Sequence, residues 1–305
     1  MIRYLEHTEI DKLKWDNCLS MSPQNLIYTH SWYLDIVSPG WHALIEDDYK
    51  SVFPLTFRKK AGINYLFQPY FTQQLGLFSD QEIISDDSMK EFLEAIPEKF
   101  KLIEIQLNAS NKIEGIDGFS INPKLTHNLD LSKDYDLIST NFSENLRRNI
   151  KKAQKAEVKI INQFPFRNII TLFRDNKGAG ISNLKQSDYE IFITLLTTAE
   201  KMNLIDCRGI YNSEGKPCAG AVFLKSPLSY IFLFSATSTE AKESGYMSYL
   251  IDSFIKEHAN EKKILDFEGS MDKNLARFYK SFGSQEVVYL QILKNKLPLV
   301  IRWLK

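Results

Sequence analysis

Two carboxylates stand near the C-terminus where an inner strand is expected. The run ILDFEGSMDKNLARFYKSFGS, residues 264–284, opens on residues of buried-strand type, and Asp266 and Glu268 interrupt it two positions apart. A strand alternates its side chains, so both acids would point to one side while Leu265 and Phe267 point to the other. Such a face suits the floor of a polar site better than a core. A carboxylate in a cleft can act as a general base, because burial and a like-charged neighbour both raise its pKa toward neutrality. Glu268 is the first candidate for that role and Asp266 the second. The competing reading is structural: either acid pairs with a buried Arg or Lys, or caps the following helix.

A second group is basic. Arg147, Lys151 and Lys155 fall at i, i+4 and i+8 of one helical stripe, with Arg148 and Lys152 beside them. The stripe fits a phosphate or a tRNA backbone; the alternative is a solvated basic face. Cys18, Cys207 and Cys218 have no metal-type spacing and read as reduced, buried thiols. His7, His30, His42, His127 and His258 are scattered, without helical ligand spacing, and no metal is expected. The glycine-bearing stretch 174–181 suits a loop closing over an acceptor or an ordinary surface loop. The apolar, basic tail 293–305 suits docking on the protein or a membrane-surface contact.

These residues need elements to hold them. Residues 143–157 follow a cap candidate, Ser143 or Asn141, and contain no Gly or Pro, so they form a helix. A short strand is expected over 158–163. Residues 187–202 are apolar at helical spacing. Strands at 205–211 and 219–224 flank the turn Asn212–Pro217 as a hairpin. The aromatic run SYIFLFSAT, 229–237, is a further strand. Met247, Leu250, Ile251, Phe254, Ile255 and His258 mark one face of an amphipathic helix. The acid-bearing strand, a helix over 273–282 and a strand over 286–293 complete the order.

The first half repeats that order. Residues 41–46 and 52–57 match the hairpin, 65–78 stand where SYIFLFSAT and its following loop stand, and 88–100 match the amphipathic helix. KLIEIQLN, 101–108, lines up with KILDFEGS, 263–270, placing Glu104 against Asp266 and Gln106 against Glu268. Such self-similarity predicts two copies of one domain, over 1–135 and 136–305. Because Gln106 cannot act as a base, the second copy is the expected catalytic one and the first is expected to be non-catalytic.

Bulk properties narrow the class. The chain has 305 residues, 44% hydrophobic and 25% charged, as in ordinary globular proteins. Lys+Arg and Asp+Glu both number 38, so no global charge draws the chain to nucleic acid, and stable DNA binding is not expected. The N-terminus is too charged for a secretory leader and no apolar run is long enough to span a bilayer. A cytoplasmic protein without a transmembrane segment is expected.

Hairpin, long strand, glycine-bearing loop, helix, strand, then a helix with FY and FG four apart: this order resembles the GNAT superfamily of N-acyltransferases. The twin arrangement, with the segments at 68–79, 142–160, 266–270 and 277–284, is similar to the Fem-type proteins, the peptidoglycan-bridge aminoacyltransferases and their relatives. The resemblance implies a mixed α/β fold of two tandem GNAT-like domains, each a central, mostly antiparallel sheet flanked by helices. It implies acyl transfer to an amine, from acetyl-CoA or another acyl-CoA or from aminoacyl-tRNA, with an acceptor such as a cell-wall-precursor amine in envelope biosynthesis. The donor would lie where two strands splay apart, against Ser235 and Thr237. In acetyl-CoA users a loop before the amphipathic helix holds the pyrophosphate on free helix N–H groups. Here that loop reads KESGYM: Lys242, Gly245 and Tyr246 are the implied contacts, and Met247 stands where a second small residue is usual. Fem-type aminoacyltransferases do not need this loop intact. The resemblance also assigns Tyr279 as the acid that protonates the leaving group, where the alternative is a packed aromatic, and an oxyanion donor among the N–H groups of 235–238.

Two rival functions stay open at this stage. The irregular loop and the lack of a histidine near the acids suit a catalytically silent binding or scaffold protein of the same fold. The basic helix, with Arg147 and Lys151, suits an RNA-binding module.

Overall fold

The computed structural model describes residues 1–178 and 184–297. Of the loop expected at 174–181, Arg174–Gly178 form a π-helical turn instead, and the rest of it and the tail beyond residue 297 lie outside the described residues. The chain divides into two compact units: residues 1–125 with the chain from Val288 onward, and Thr126–Val287. The sequence places the boundary at 135 and the final strand in the second unit, whereas most of that strand belongs to the first.

The first unit contains β1 (Ile2–Leu5), α1 (Lys12–Met21), α2 (Ser31–Val37), β2 (His42–Glu46), β3 (Ser51–Leu55), β4 (Phe57–Lys60), β5 (Ile63–Leu66), β6 (Phe78–Ser79), α3 (Asp86–Glu94) and β7 (Phe100–Gln106). β8 (Ser120–Asp130) runs on into the second unit, and β14 (Gln285–Asn295) returns from it. β1, β2, β3 and β6 form one sheet. β4 pairs antiparallel with β5, β5 parallel with β7, and β7 antiparallel with β14. The Asp47–Lys50 turn closes the β2–β3 hairpin as its composition predicts, with Glu46 opposite Ser51. Trp15 and Trp41, both fully buried, pack at 4.6 Å between ring centres beneath it. In the segment 65–78, expected to be a strand with its following loop, the strand part is short, since β5 stops at Leu66.

The second unit follows β8 with α4 (Tyr135–Thr140), α5 (Glu144–Lys155), β9 (Ile161–Asn162), α6 (Phe166–Phe173), α7 (Gln186–Lys201), β10 (Ile205–Tyr211), β11 (Pro217–Lys225), β12 (Ser229–Thr237), α8 (Thr239–Glu243), α9 (Tyr246–His258), β13 (Ile264–Asp266) and α10 (Lys273–Lys280). Ser143 is the cap of α5, its hydroxyl accepting from the Leu146 amide at 3.2 Å. β9, β10, β11 and β12 are antiparallel in turn; β13 lies parallel to β12 and antiparallel to the end of β8. The β11–β12–β13 pattern repeats β4–β5–β7: antiparallel, then parallel.

The apolar faces of α5, α9 and α10 cover one side of this sheet through Leu146, Ile150, Ile251, Phe254, Tyr279 and Phe282. Each such side chain contributes about 1.5–3 kcal/mol on burial. Phe223 and Phe254 stack at 3.8 Å between centroids and fix α9 to β11. Arg208, 1% exposed, bridges Asp206 and Glu257 at 2.9 Å each and lies 4.8 Å over the Phe254 ring. Burial alone would raise the Asp206 carboxyl; hydrogen bonds from His258 and Arg208 outweigh it and bring the group down to about 2. Asp206, Glu257 and His258 have the spacing of metal ligands, but the Arg208 guanidinium already bonds two of them.

Candidate functional site

β12 and β13 define the site by parting company. They pair only over Ser229–Ile231 and Ile264–Asp266, after which β12 continues to Thr237 while the other chain turns away. Phe232 and Phe267 are the first residues past the last pair, with ring centroids 6.2 Å apart. Tyr279 of α10 packs between them, stacked on Phe267 at 4.9 Å and edge-on to Phe232 at 6.1 Å. The splay expected for an acyl donor is present, and its inner end is aromatic. A β-bulge sits beside it: the β11–β12 register passes from Phe223–Phe232 to Val222–Phe234, leaving Leu233 unmatched. Bulges of this kind release a backbone N–H from the ladder and re-aim the strand.

The acids do not lie on one strand face. β13 ends at Asp266, and Glu268 adopts a left-handed backbone (φ 51°), followed by Gly269 at φ 56°. Alternation stops there, so the reading of two carboxylates on one face is corrected: the chain makes a turn that carries Glu268 out of the strand. Non-glycine residues avoid this region, so local bonds must hold it. Asp266 supplies one, accepting the Glu268 amide at 2.9 Å while Thr126 donates its hydroxyl to the same oxygen. Ser270 supplies another, donating to the Glu268 carbonyl at 2.9 Å. Burial raises the Asp266 carboxyl to about 6.

Glu268 keeps partial exposure, yet desolvation pushes its carboxyl up to about 8. Tyr279 is 5% exposed. Burial raises its phenol, and the charges of Glu268, Asp272 and Asp266 raise it further, so it stays protonated. A Cβ placed on Gly269 would lie 3.7 Å from the Tyr279 hydroxyl, which seats that hydroxyl against the turn. The structure therefore brings Asp266, Glu268 and Tyr279 together.

The implied cofactor loop is built differently from a bare phosphate cradle. Gly245 caps α9 at φ 76°, and a Cβ there would come within 2.5 Å of the Asn149 carbonyl oxygen of α5. Its lack of a side chain is thus required by packing against α5 as well as by backbone. Lys152 of α5 donates to the Glu243 carbonyl at 2.9 Å, next to exposed Lys242. Tyr246 and Met247 pack against the apolar clusters at the start of α9. Ser235 and Thr237 lie half-buried on β12 past the splay, opposite Ala221 and Ala219.

The basic stripe is only partly free. Arg147 donates to the Thr140 carbonyl at 2.7 Å and the Ser139 carbonyl at 3.3 Å, closing the end of α4. Lys151 and Lys155 are exposed.

One residue escaped the sequence reading. His127, 1% exposed, places Nδ1 2.8 Å from Ser270 Oγ. Its strand neighbourhood is set by the Phe267 amide bonding to its own carbonyl at 2.9 Å. A histidine does lie near the acids, contrary to the expectation. A cavity of about 640 Å³ is lined by Asn128, Asp130, Lys133, Lys280, Ser284 and Glu286.

Two compact units with repeated pairing, a parallel pair that splays and a bulge beside the splay are features that known folds can be compared for. FemX matches over 94% of this chain and 96% of its own, with a TM-score of 0.63 at 14% identity. This is the Fem-type, GNAT-like acyltransferase fold. L-PGS from Bacillus licheniformis shares it over 96% of this chain and 95% of its own (TM-score 0.53, 14% identity). So does the C-terminal domain of a putative lysylphosphatidylglycerol synthetase from Agrobacterium fabrum, over 93% and 91% (TM-score 0.56, 10% identity). No family model and no curated protein matches the chain by sequence. Among the described residues no helix of this Fem-type fold is long and apolar enough to cross a membrane.

Proposed function

We propose that the chain is an N-acyltransferase that moves an acetyl or aminoacyl group from an activated donor to an amine. The observation that carries this reading is Glu268: a carboxylate on a built turn at the strand splay, with its pKa raised to about 8. A base of that strength is matched to an amine nucleophile near neutral pH. In the reading, the Glu268 carboxylate takes a proton from the amine, and the nitrogen lone pair forms the C–N bond at the acyl carbon. A backbone N–H at the β12 bulge stabilises the tetrahedral oxyanion. The C–S or C–O bond then breaks, and the Tyr279 hydroxyl gives its proton to the leaving atom.

The donor reading follows from the loop. Because α5 packs on Gly245 and Lys152 bonds Glu243, a donor that does not need a pyrophosphate cradle at α9 is favoured, and aminoacyl-tRNA is such a donor. Exposed Lys151 and Lys155 would contact its phosphates. An envelope-linked amine is the acceptor class implied by the Fem-type resemblance of the sequence, in keeping with the likeness to the FemX fold.

The test offers aminoacyl-tRNA and acetyl-CoA separately with simple primary amines, and follows amide formation by mass spectrometry for the parent and for Glu268→Gln. The expected result is aminoacyl transfer by the parent and a loss of about 100-fold or more in the variant. Equal turnover by both proteins overturns the role of Glu268, and transfer from acetyl-CoA alone overturns the donor reading.

A further inference from the structure

The turn that holds Glu268 is itself held from behind. Ser270 has one hydroxyl proton. A carbonyl oxygen only accepts, so the bond from Ser270 Oγ to the Glu268 carbonyl uses that proton. The contact between His127 Nδ1 and Ser270 Oγ at 2.8 Å must then run the other way, with Nδ1–H donating. In the neutral imidazole this leaves Nε2 as a bare acceptor. Nε2 is buried without a hydrogen-bond partner, and the charged groups facing it are Glu286 at the start of β14, with Oε1 3.9 Å away, and Lys280 of α10, which reaches the same oxygen at 3.3 Å. Burial, the larger effect, lowers the His127 pKa, and Lys280 adds to this against the pull of Glu286, so the neutral form is the resident one.

We propose that His127 is the positioning residue of the candidate base: through its Nδ1–H it fixes Ser270, and Ser270 fixes the Glu268 carbonyl and so the left-handed turn that keeps the Glu268 carboxyl at the splay. This rests on the reading of Glu268 as base for its catalytic meaning, but not for its geometry. Asp266 secures the amide side of Glu268 and the His127–Ser270 pair secures the carbonyl side, so the backbone of the base is bonded on both flanks. Release of one flank lets the turn relax from φ 51° and lets water reach the carboxyl.

The test uses the full chain and three variants. Ser270→Ala removes the link with little change in volume. His127→Leu removes the donor, and His127→Asn restores an N–H near the Nδ1 position. The first readout is the Glu268 carboxyl titration by carbon NMR, the signal being assigned by its absence in Glu268→Gln. The expected midpoint falls by about one pH unit or more in Ser270→Ala and His127→Leu and stays near the parent in His127→Asn. The imidazole nitrogens of the parent should report Nδ1 protonated and Nε2 bare. The second readout is turnover, with kcat falling at least tenfold and KM little changed in the first two variants, and recovery in His127→Asn. A folded Ser270→Ala protein with an unmoved Glu268 midpoint overturns the proposal, as does an Nε2–H tautomer. If the midpoint moves while Glu268→Gln stays fully active, positioning stands and the base reading falls; the two failures are therefore separable.

Discussion

Replacing Glu268 by Gln tests the electrostatics of the turn without knowledge of any substrate. The folded protein raises this carboxyl from its ordinary 4.5 to about 8, whereas the unfolded chain leaves it near 4.5. Between those values the folded state binds more protons than the unfolded one, so the group's contribution to stability is fully present below about pH 4.5 and is lost as pH rises through 8. At about 1.4 kcal/mol per pH unit the ceiling is about 5 kcal/mol, and the partial exposure of the side chain reduces the expected span to about 2 kcal/mol. Gln has no charge to desolvate. Urea denaturation of both proteins at pH 5, 6, 7 and 8 should show near-equal stability at the acid end and a variant more stable by about 2 kcal/mol at pH 8. The catalytic counterpart has the opposite sign: the ionised fraction of a base titrating near 8 rises about tenfold from pH 7 to pH 9, and parent turnover should rise with it. Two stability curves that run parallel from pH 5 to pH 8 would refute the claim that the turn desolvates Glu268.

Other substitutions probe separate parts. Tyr279→Phe keeps the stack on Phe267 and removes only the hydroxyl; turnover should fall at least about tenfold with the thermal midpoint nearly unchanged, checked by steady-state kinetics beside calorimetry. Gly245→Ala should cost about 1–3 kcal/mol for the positive φ alone, and more because its Cβ meets the Asn149 carbonyl; urea denaturation measures it, and a loss under about 0.5 kcal/mol would contradict that contact. Arg208→Met leaves the half-buried Asp206 carboxylate with His258 but without its bidentate guanidinium partner and should destabilise by about 3 kcal/mol at pH 7, with partial recovery at low pH as the acid protonates. Lys151→Glu together with Lys155→Glu should weaken tRNA binding in low salt, measured by filter binding at two salt concentrations, while Arg147→Ala acts mainly on stability because its guanidinium bonds the end of α4.

Much of the second unit was readable in the chain because local signals agreed. Ser143 and a run without Gly or Pro set the start and length of α5, and the Asn212–Pro217 turn set the β10–β11 hairpin. The aromatic run at 229–237 forms one strand as expected, although its bulge at Leu233 carries no composition signal. Strand alternation misplaces Glu268 because β13 ends at Asp266. A glutamate rarely takes a left-handed backbone, so Gly269 is the one letter that marks the turn, which Asp266 and Ser270 bond on both of its sides. His127 was unreadable for a different reason: it meets Ser270 across 143 positions of chain, through strand register alone. Arg147 looked like a phosphate contact because periodicity shows which face a side chain leaves from and not which carbonyl it reaches.

β14 carries a consequence for biogenesis. The first unit draws one of its strands from beyond the second unit, where Gln291–Asn295 pair with Leu102–Gln106 of β7. A ribosome must add the whole of residues 126–287 before that edge of β7 can be covered, so residues 1–125 wait, incomplete, until β14 emerges. Expressed alone, residues 1–135 would present β7 as a naked rim open to self-association, and supplying the 285–297 peptide in trans should suppress it.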